Sequence, residues 1–312
     1  MNFLSLFLRI QLYTLYMDRK YNTWQEFEGG HFSPAYNFRK ELPGGLYRIE
    51  YFEMENRYAL FPVKFEVPEI IPIPSIEIEE LNNEVTQFFE SYDKLKEMGL
   101  PRSRGILLYG SVGNGKSKSI ESLILNFLKT YENGIVFNLF DNDQLGYYLQ
   151  MFNSQFRILQ KDTKVICVCE DIERFSGNDL MMSLLLNLLD GINSAEHLFI
   201  ATTNYPHKLD ARLNRPGRFD RKIKLSLPDD RLREHFFNEI FKKSKYVPEN
   251  MKELVAKSKG LSYASLREVA VSLIVYKKPI DEITKIIFDL SKITSSDCSN
   301  HNAIGFGNNH HQ

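Results

Sequence analysis

The sequence has little cysteine, a single tryptophan and no excess of either charge. Its 312 residues include three cysteines, which excludes a disulfide-rich scaffold and favours a reducing compartment, so we expect a cytoplasmic protein. Cys167 and Cys169 alternate within one apolar run and would share one face of a strand, where core packing is favoured over metal binding because no further ligand stands at suitable spacing. Cys298 lies in a polar tail.

Charge balance limits the classes of partner. Lys plus Arg total 39 against 40 for Asp plus Glu, a formal net charge of −1. The chain therefore lacks the overall basic charge typical of non-specific nucleic-acid binding. A nucleic-acid partner is neither implied nor excluded.

Long hydrophobic runs are also missing. The most apolar stretch, residues 1–16, is interrupted by Arg9 and Gln11, and a membrane-spanning helix needs about 20 mostly apolar residues. No basic segment precedes it and no small-residue cleavage site follows it, which argues against a secretory signal. We interpret it as an amphipathic leader or as residues preceding a true start at Met17, with a membrane anchor as the less favoured alternative.

A phosphate-binding pattern, G-x-x-x-x-G-K-[ST], directly follows the apolar run 105–109. It consists of Gly110, Ser111, Val112, Gly113, Asn114, Gly115, Lys116 and Ser117. Glycines let backbone N–H groups turn toward phosphates, the lysine adds positive charge and the serine hydroxyl can bind Mg²⁺. Apolar residues at helical spacing follow over 119–128, so the order strand, loop, helix indicates a real nucleotide site.

Polar side chains follow two further apolar runs. Residues 164–169 end in Glu170 and Asp171, and residues 198–203 end in Asn204. At the end of a buried parallel strand, one acid can hold the Mg²⁺ shell while the next orients or deprotonates water. The alternative is a solvated turn. Asn204 could reach a terminal phosphate or the attacking water.

Four arginines lie in the loop over residues 209–221, namely Arg212, Arg215, Arg218 and Arg221. Guanidinium groups stabilise the charge of a transferring phosphoryl group, often from a neighbouring subunit. A solvated salt-bridge patch or a nucleic-acid contact is the alternative.

The order of predicted elements indicates an α/β fold. Residues 75–228 alternate strands and helices, with strands near 105–109, 134–139, 164–169, 198–202 and 222–226, which predicts a parallel sheet covered on both faces. Residues 229–293 read as about four helices, and residues 294–312 as a disordered tail. Residues 1–74 form an N-terminal module with a hairpin, 46–54 with 58–67, and a Pro-rich linker at 68–74.

Taken together, the motifs resemble those of a AAA-type ATPase over residues 80 to about 275. The resemblance rests on the phosphate loop, the acidic strand end, Ala-Thr-Thr-Asn at 201–204 and Asn-Arg-Pro-Gly-Arg-Phe-Asp at 214–220. It implies a three-layer ATPase domain with a helical lid, binding ATP and Mg²⁺ between the subunits of a homo-oligomeric ring, usually a hexamer. Lys116 and Ser117 would then serve phosphates and Mg²⁺, Asn204 would be a sensor, and Arg215 and Arg218 would act on the neighbour's ATP. The segment Asp190-Gly191 resembles one that relays nucleotide state between subunits.

Departures from the family pattern raise specific questions. The acids stand in the order Glu170-Asp171 rather than Asp-Glu, which resembles the subgroup containing the mitochondrial respiratory-complex assembly chaperone. By position, Glu170 would be the metal-shell acid and Asp171 a base that is one methylene short. Tyr147 and Tyr148 stand where threading members carry a gripping aromatic, but no glycine follows, so threading and ordinary helix packing both stay open.

The predicted lid contains a third departure. Residues 260–266 resemble the Gly-x-x-Gly-Ala-Asp-Leu turn, with Tyr263 and Ser265 replacing Gly and Asp. Ser262 is the expected helix N-cap there. Arg267 reads as a surface arginine rather than a second sensor.

The function predicted from these features is remodelling of a protein substrate or assembly, driven by ATP hydrolysis. The alternatives are a nucleic-acid motor or loader and a nucleotide-switched scaffold that hydrolyses slowly. We do not expect a membrane partner.

Overall fold

The computed structural model describes residues 23–26, 30–35, 41–52, 57–64, 71, 73–100, 102–139, 142–152, 156–160, 162–190, 197–244, 246–283 and 285. The predicted leader (1–16), Cys298, Gly191 and the predicted tail (294–312) lie outside these residues.

The described strands form one sheet. They are β1 (Thr23–Glu26), β2 (Phe32–Ala35), β3 (Gly45–Phe52), β4 (Arg57–Pro62), β5 (Arg104–Tyr109), β6 (Ile135–Leu139), β7 (Val165–Cys169), β8 (Leu198–Thr203) and β9 (Phe219–Lys224). Their spatial order is β1-β2-β4-β3-β6-β7-β8-β5-β9. The pairs from β3 through β9 along this order are parallel, while β1, β2, β4 and β3 pair antiparallel. The mixed α/β architecture with a mostly parallel sheet confirms the predicted fold class.

Six of the described helices lie between strands along the chain, and three follow the last strand. They are α1 (Ile76–Glu90), α2 (Tyr92–Glu97), α3 (Lys116–Thr130), α4 (Asn142–Met151), α5 (Arg157–Leu159), α6 (Asp179–Leu189), α7 (Asp230–Ser244), α8 (Met251–Lys257) and α9 (Tyr263–Ile274). None of the described helices has the length and apolar character needed to cross a membrane.

Both faces of the parallel strands are buried. Every residue of β7 is buried, as expected for a parallel strand covered on both sides. One apolar cluster contains Cys167 and Cys169, and the other contains Ile166 and Val168 from the opposite face. Both thiols are free, and burial raises the pKa of Cys169 to about 11. The predicted packing of these cysteines on one core face is therefore confirmed.

The N-terminal strands extend the main sheet and do not form a sheet of their own. β3 pairs parallel with β6 in the register Leu46↔Val136, and Gly45 N–H donates to Gly134 O at 2.9 Å. The predicted hairpin is confirmed, with Ile49 opposite Leu60 in an antiparallel pair. The prediction of a separate N-terminal module missed this pairing, because alternation within a hairpin does not reveal which neighbouring strand its outer edge joins.

Two predicted boundaries differ from the structure. β9 begins at Phe219 and ends at Lys224, earlier than the predicted 222–226, because its pairing with β5 starts at Gly105↔Phe219. Of the predicted final helix, 281–293, residues 281–283 and 285 are described; the others lie outside the described residues.

The chain divides into two compact units. The first comprises residues 1–70, 79–110 and 116–224, and the second comprises 71–78, 111–115 and 225–312. Within the second unit, Phe237, Leu266 and Val269 are central members of a core cluster built from α7, α8 and α9. The middle of the phosphate loop thus groups with the helical unit, while Gly110 and Lys116 group with the sheet.

Candidate nucleotide-binding site

The predicted site residues of the first unit follow neighbouring strands. Gly110 follows β5, Glu170 and Asp171 follow β7, and Asn204 follows β8. β7, β8 and β5 are adjacent and parallel, so their carboxyl ends meet at one edge of the sheet, where α/β proteins bind ligands.

Lys116 lies at this edge as the first residue of α3. Its side chain is 6% exposed, and its ammonium group donates a hydrogen bond to Gly110 O at 2.8 Å. Burial lowers the pKa of Lys116, and the negative charges of Asp171, Glu173 and Glu170 oppose that shift without cancelling it. A desolvated cation beside a strand end suits an incoming phosphate, which would supply negative charge directly.

Ser117 and Glu170 adjoin each other. The Ser117 hydroxyl donates a hydrogen bond to Glu170 Oε2. A hydroxyl and a carboxylate are oxygen ligands of the kind that Mg²⁺ takes when substrate phosphates complete its shell. Among the described residues, no three His, Cys, Asp or Glu side chains form a metal-binding group. The Ser117–Glu170 pair fits a Mg²⁺ whose shell is completed by the phosphates of a nucleotide.

The remaining loop residues belong to the second unit. Gly113 has φ +80° and Gly115 has φ +86°, conformations that favour glycine. Ala264 N–H, at the start of α9, donates to Gly113 O at 3.1 Å. A Cβ on Gly113 would lie 2.7 Å from Ser262 Oγ, so the loop backbone approaches α9 as closely as only glycine permits.

The other members of the loop differ in exposure. Ser111 and Val112 are exposed, whereas Asn114 is buried and donates from Nδ2 to Leu225 O at 3.1 Å. The exposed loop residues leave room for a ligand, and the buried Asn114 side chain fixes the loop to the backbone at Leu225. Within the first unit, Lys116 and the Ser117–Glu170 pair fit the phosphates and the metal of a Mg²⁺–nucleotide.

Asp171 adopts a strained backbone conformation. Its φ of 52° and ψ of 53° lie in the left-handed region, which costs a non-glycine residue about 1 kcal/mol and occurs often at functional sites. Its N–H donates to Thr202 Oγ1 at 2.9 Å, and its Oδ1 accepts from Asn204 Nδ2 at 2.9 Å. The structure thus brings the predicted base and the predicted sensor together.

Glu173 belongs to the same group, although no role was predicted for it from the sequence. It lies in a 3-10 turn, Ile172–Phe175, and its Oε1 accepts from Asn204 N–H at 3.1 Å. The sequence carries a signal for it, an acid two residues after Asp171, but a 3-10 turn was needed to direct it back toward β8.

The predicted arginine fingers are placed differently from each other. Arg215 is exposed, and within the described part of the chain no carboxylate lies in ion-pair range of it. Arg218 is 9% exposed and makes a bidentate contact with Asp190, at 2.5 and 2.7 Å. Its Nη1 also donates to Arg212 O at 2.5 Å. Arg215 is therefore exposed to solvent, while Arg218 is held by contacts within its own chain.

The other arginines of the loop also form ion pairs within the chain. Arg212 contacts Asp210 at 2.7 Å, and hydrogen bonds from Arg212 lower the pKa of Asp210 to about 2. Arg221 pairs with Glu80 and Glu84. The salt-bridge interpretation thus holds for these two side chains.

The two tyrosines considered for threading pack against protein. Tyr148 is fully buried, with ring centroids 5.2 Å from Phe137 and 5.0 Å from Phe152. Tyr147 is partly buried and lies 5.2 Å from Tyr51. Tyr148 accordingly serves the core of the first unit, in agreement with helix packing.

Ser262 caps α9 as predicted. Its side chain accepts a hydrogen bond from Ser265 N–H at 3.3 Å. Arg267 is exposed on α9.

Comparison with known proteins agrees with this geometry. Residues 106–227 match the family described as ATPase family associated with various cellular activities (AAA). Over these residues the chain is similar to a AAA ATPase domain. The matched residues include the phosphate loop, both acids after β7, Asn204 and both candidate arginines.

Relatives of the AAA domain share about 30% identity with this chain. The proteasome-activating nucleotidase of Saccharolobus islandicus (strain M.14.25 / Kamchatka #1) is 28% identical over 239 residues, which cover 67% of this chain and 60% of the relative. The probable 26S proteasome regulatory subunit 10B of Caenorhabditis elegans is 30% identical, covering 62% of this chain and 51% of the relative. The ATP-dependent zinc metalloprotease FtsH of Akkermansia muciniphila is 27% identical over 65% of this chain and 27% of the relative. The aligned region thus spans 60% or less of each of these relatives.

Proposed function

We propose that this protein is an ATP-hydrolysing AAA ring ATPase that remodels a protein substrate or assembly. The observation that supports it best is the group formed by Lys116, the Ser117–Glu170 pair and the Asp171–Asn204 pair at one edge of the sheet. These are a phosphate-binding cation, two metal ligands and a base with its orienting amide, the groups that nucleotide hydrolysis requires.

Each residue has a distinct role in the proposed mechanism. The loop amides and Lys116 bind the β- and γ-phosphates, while Ser117 and Glu170 would hold Mg²⁺, which when bound neutralises charge on the phosphates. Asp171 accepts the proton of the attacking water, and Asn204 keeps the Asp171 carboxylate in place through Oδ1. The strained backbone of Asp171 directs its short side chain from the end of β7 toward Asn204.

We propose further that Arg215 completes the site of a neighbouring subunit. An exposed guanidinium can stabilise phosphoryl-transfer charge on the ATP of another chain when that chain's phosphates reach it. A ring, by the resemblance a hexamer, would meet that requirement. Arg218 is proposed to hold the arginine loop on Asp190 and not to contact ATP.

The names of the relatives support a protein substrate, since two of them refer to the proteasome. Within the family, the order Glu170-Asp171 favours the subgroup that contains the respiratory-complex assembly chaperone. Residues 1–74 are proposed to choose the partner, residues 75–228 to act as the ATPase domain and residues 229–293 to act as a lid. A cytoplasmic location remains a prediction supported by the free thiols.

The test is the ATPase rate as a function of protein concentration. We expect turnover per chain to rise cooperatively, and an inactive Arg215→Ala variant mixed with an inactive Asp171→Asn variant to recover part of the activity. Recovery requires that one chain supplies the arginine and another the base. Lys116→Ala should abolish ATP binding; a variant that still binds ATP with unchanged affinity would contradict the assigned site.

A nucleotide-switched scaffold is the second candidate, favoured by the short base Asp171 and by the packing of Tyr148 in the core. Exchanging the two acids, Glu170→Asp with Asp171→Glu, separates the candidates. A large gain in rate favours the scaffold, whereas no gain indicates that the native order already hydrolyses ATP. Turnover stimulated by nucleic acid and weakened steeply by salt would instead point to a nucleic-acid motor.

A further inference from the structure

A third carboxylate at the sheet edge has no part in the mechanism above. Glu173 Oε1 accepts a hydrogen bond from Asn204 N–H at 3.1 Å. Its other oxygen, Oε2, is buried and has no hydrogen-bond partner among the described residues. A buried, unpaired carboxylate oxygen costs about 1 to 3 kcal/mol or more, so the fold retains an unfavourable group at this point.

The local structure directs Glu173 toward β8. The left-handed backbone at Asp171 reverses the chain, and Arg174 N–H then closes the turn on Asp171 O at 3.1 Å. Ile172 and Phe175 are fully buried and anchor the turn on one side, because positions i and i+3 of a 3-10 helix share a face. Glu173 lies between these anchors on another side and meets the first residue after β8.

Two hydrogen bonds share Asn204. Its backbone N–H contacts Glu173, and its side-chain Nδ2 donates to Asp171 Oδ1 at 2.9 Å. The backbone position of Asn204 determines where its amide group lies, and that amide in turn limits the orientation of Asp171. A displacement of Asn204 would therefore change the orientation of the Asp171 carboxylate without any change in the phosphate loop.

We propose that Glu173 is a positioning residue for ATP hydrolysis, holding Asn204 so that its amide keeps Asp171 in line. The inference rests on the proposed ATPase function. It predicts that Glu173 contributes to kcat, since its hydrogen bond to Asn204 N–H and the Asn204–Asp171 hydrogen bond both lie on the side of the base.

Two single substitutions of Glu173 separate the effect of its hydrogen bond from the effect of its charge. Glu173→Gln keeps the length and an acceptor oxygen but removes the charge. Glu173→Asp keeps the charge but shortens the side chain by one methylene, so it no longer reaches Asn204 N–H. We expect the Gln variant to retain kcat within about threefold and the Asp variant to lose about 10- to 100-fold, the range typical when a partner that orients an active group is removed.

A double-mutant cycle supplies the readout that a merely structural role would not produce. In an Asn204→Ala background, Glu173→Asp should cost less than threefold further, because the amide that it positions is gone. Equal losses in both backgrounds would overturn the inference, as would a Gln variant that is less active than the Asp variant. Melting temperatures of all variants, with and without ATP, distinguish lost folding from lost turnover.

The outcomes for the two proposals differ. Wild-type protein that binds ATP without any turnover would overturn the ATPase proposal and this inference with it. Wild-type protein that turns over normally, with an Asp variant equal to it, would overturn the role of Glu173 alone.

Discussion

At the residue scale, the arginine loop shows how neighbouring side chains of one type take different roles. Arg215 is exposed, whereas Arg218 is nearly buried between Asp190 and a backbone carbonyl. A buried ion pair with both hydrogen-bonding directions satisfied is retained for structure, because removing one partner leaves the other uncompensated. An exposed arginine contributes little to stability and is free to act on another molecule.

The two substitutions should therefore affect different quantities: Arg218→Ala should lower stability, and Arg215→Ala should lower turnover. Arg218→Ala is expected to lower the free energy of unfolding by about 2 kcal/mol, measured by denaturant titration of the wild type and variant. Arg215→Ala should change stability by less than about 0.5 kcal/mol and abolish ATP turnover. Arg267→Ala, an exposed arginine on α9, is the control and should change neither quantity.

The ion pair of Asp190 also predicts a dependence on pH. The hydrogen bond from Arg218 is the main cause that lowers the pKa of Asp190 in the folded protein. A carboxyl whose pKa is lower folded than unfolded stabilises the protein above the unfolded value, about 3.9, and loses that contribution as pH falls through the folded value. Asp190→Asn should thus be less stable than wild type at pH 7, by about 1 to 2 kcal/mol.

The stability difference between wild type and Asp190→Asn should shrink as the pH falls below about 4. Unfolding of both proteins across pH 2 to 7 measures it. Asp162→Asn is the control, since this exposed side chain lies 3.5 Å from Lys96 in a surface ion pair. A stability difference between Asp190→Asn and wild type that is constant over the whole pH range would contradict the assignment.

At the scale of the element, α9 packs against residues 111–115 of the phosphate loop within the second unit. The Ala264 amide holds Gly113 O, and Ser262 and Ala264 occupy the space where a Cβ on Gly113 would lie. The first turn of a helix has free N–H groups, and this loop uses one of them. The conformation of the loop therefore depends on the start of α9 as well as on its own glycines.

A pair of glycine substitutions tests this packing. Gly113→Ala would place Cβ 2.7 Å from Ser262 Oγ and 2.9 Å from Ala264 Cβ, in addition to the strain of φ +80°. Gly260→Ala has a similar φ of +81° with no atom within 4 Å of its Cβ. We expect a loss of about 1 kcal/mol for Gly260→Ala and about 3 kcal/mol for Gly113→Ala.

Nucleotide affinity should fall only for Gly113→Ala, as measured by titration with a fluorescent ATP analogue. Equal stability of the two variants would show that α9 does not constrain the loop.

At the scale of the whole first unit, the N-terminal strands are part of the sheet that positions the site. β3 pairs with β6, and Trp24, Ile49 and Leu60 join the same core cluster as Cys167. A segment that fills the core in this way cannot be removed without exposing apolar surface. The N-terminal strands are therefore part of the first unit's core and sheet.

Two adjacent glycines test this continuity. A Cβ on Gly44 would lie 1.9 Å from Glu132 O, a backbone atom, whereas the nearest neighbour of a Cβ on Gly45 is Tyr47 Cε2 at 3.4 Å. Gly44→Ala should force β3 away from the chain that precedes β6 and lower the free energy of unfolding by about 3 kcal/mol or more. Gly45→Ala should cost about 1 kcal/mol or less.

Thermal unfolding followed by circular dichroism measures both effects. Similar melting temperatures for the two variants would contradict the described join between the N-terminal strands and the sheet.

The sequence by itself predicted the phosphate-binding motif and the fold class, because both depend on local patterns. The glycines before Lys116 and the acids that end an apolar run can be recognised from consecutive residues alone. The alternation of strands and helices predicts a parallel sheet. Only the tertiary structure decided which strand β3 joins, which of Arg215 and Arg218 is exposed, and that Glu173 reaches Asn204. These depend on contacts between residues far apart in the chain, and such contacts are set by packing and hydrogen bonding in three dimensions rather than by spacing along it.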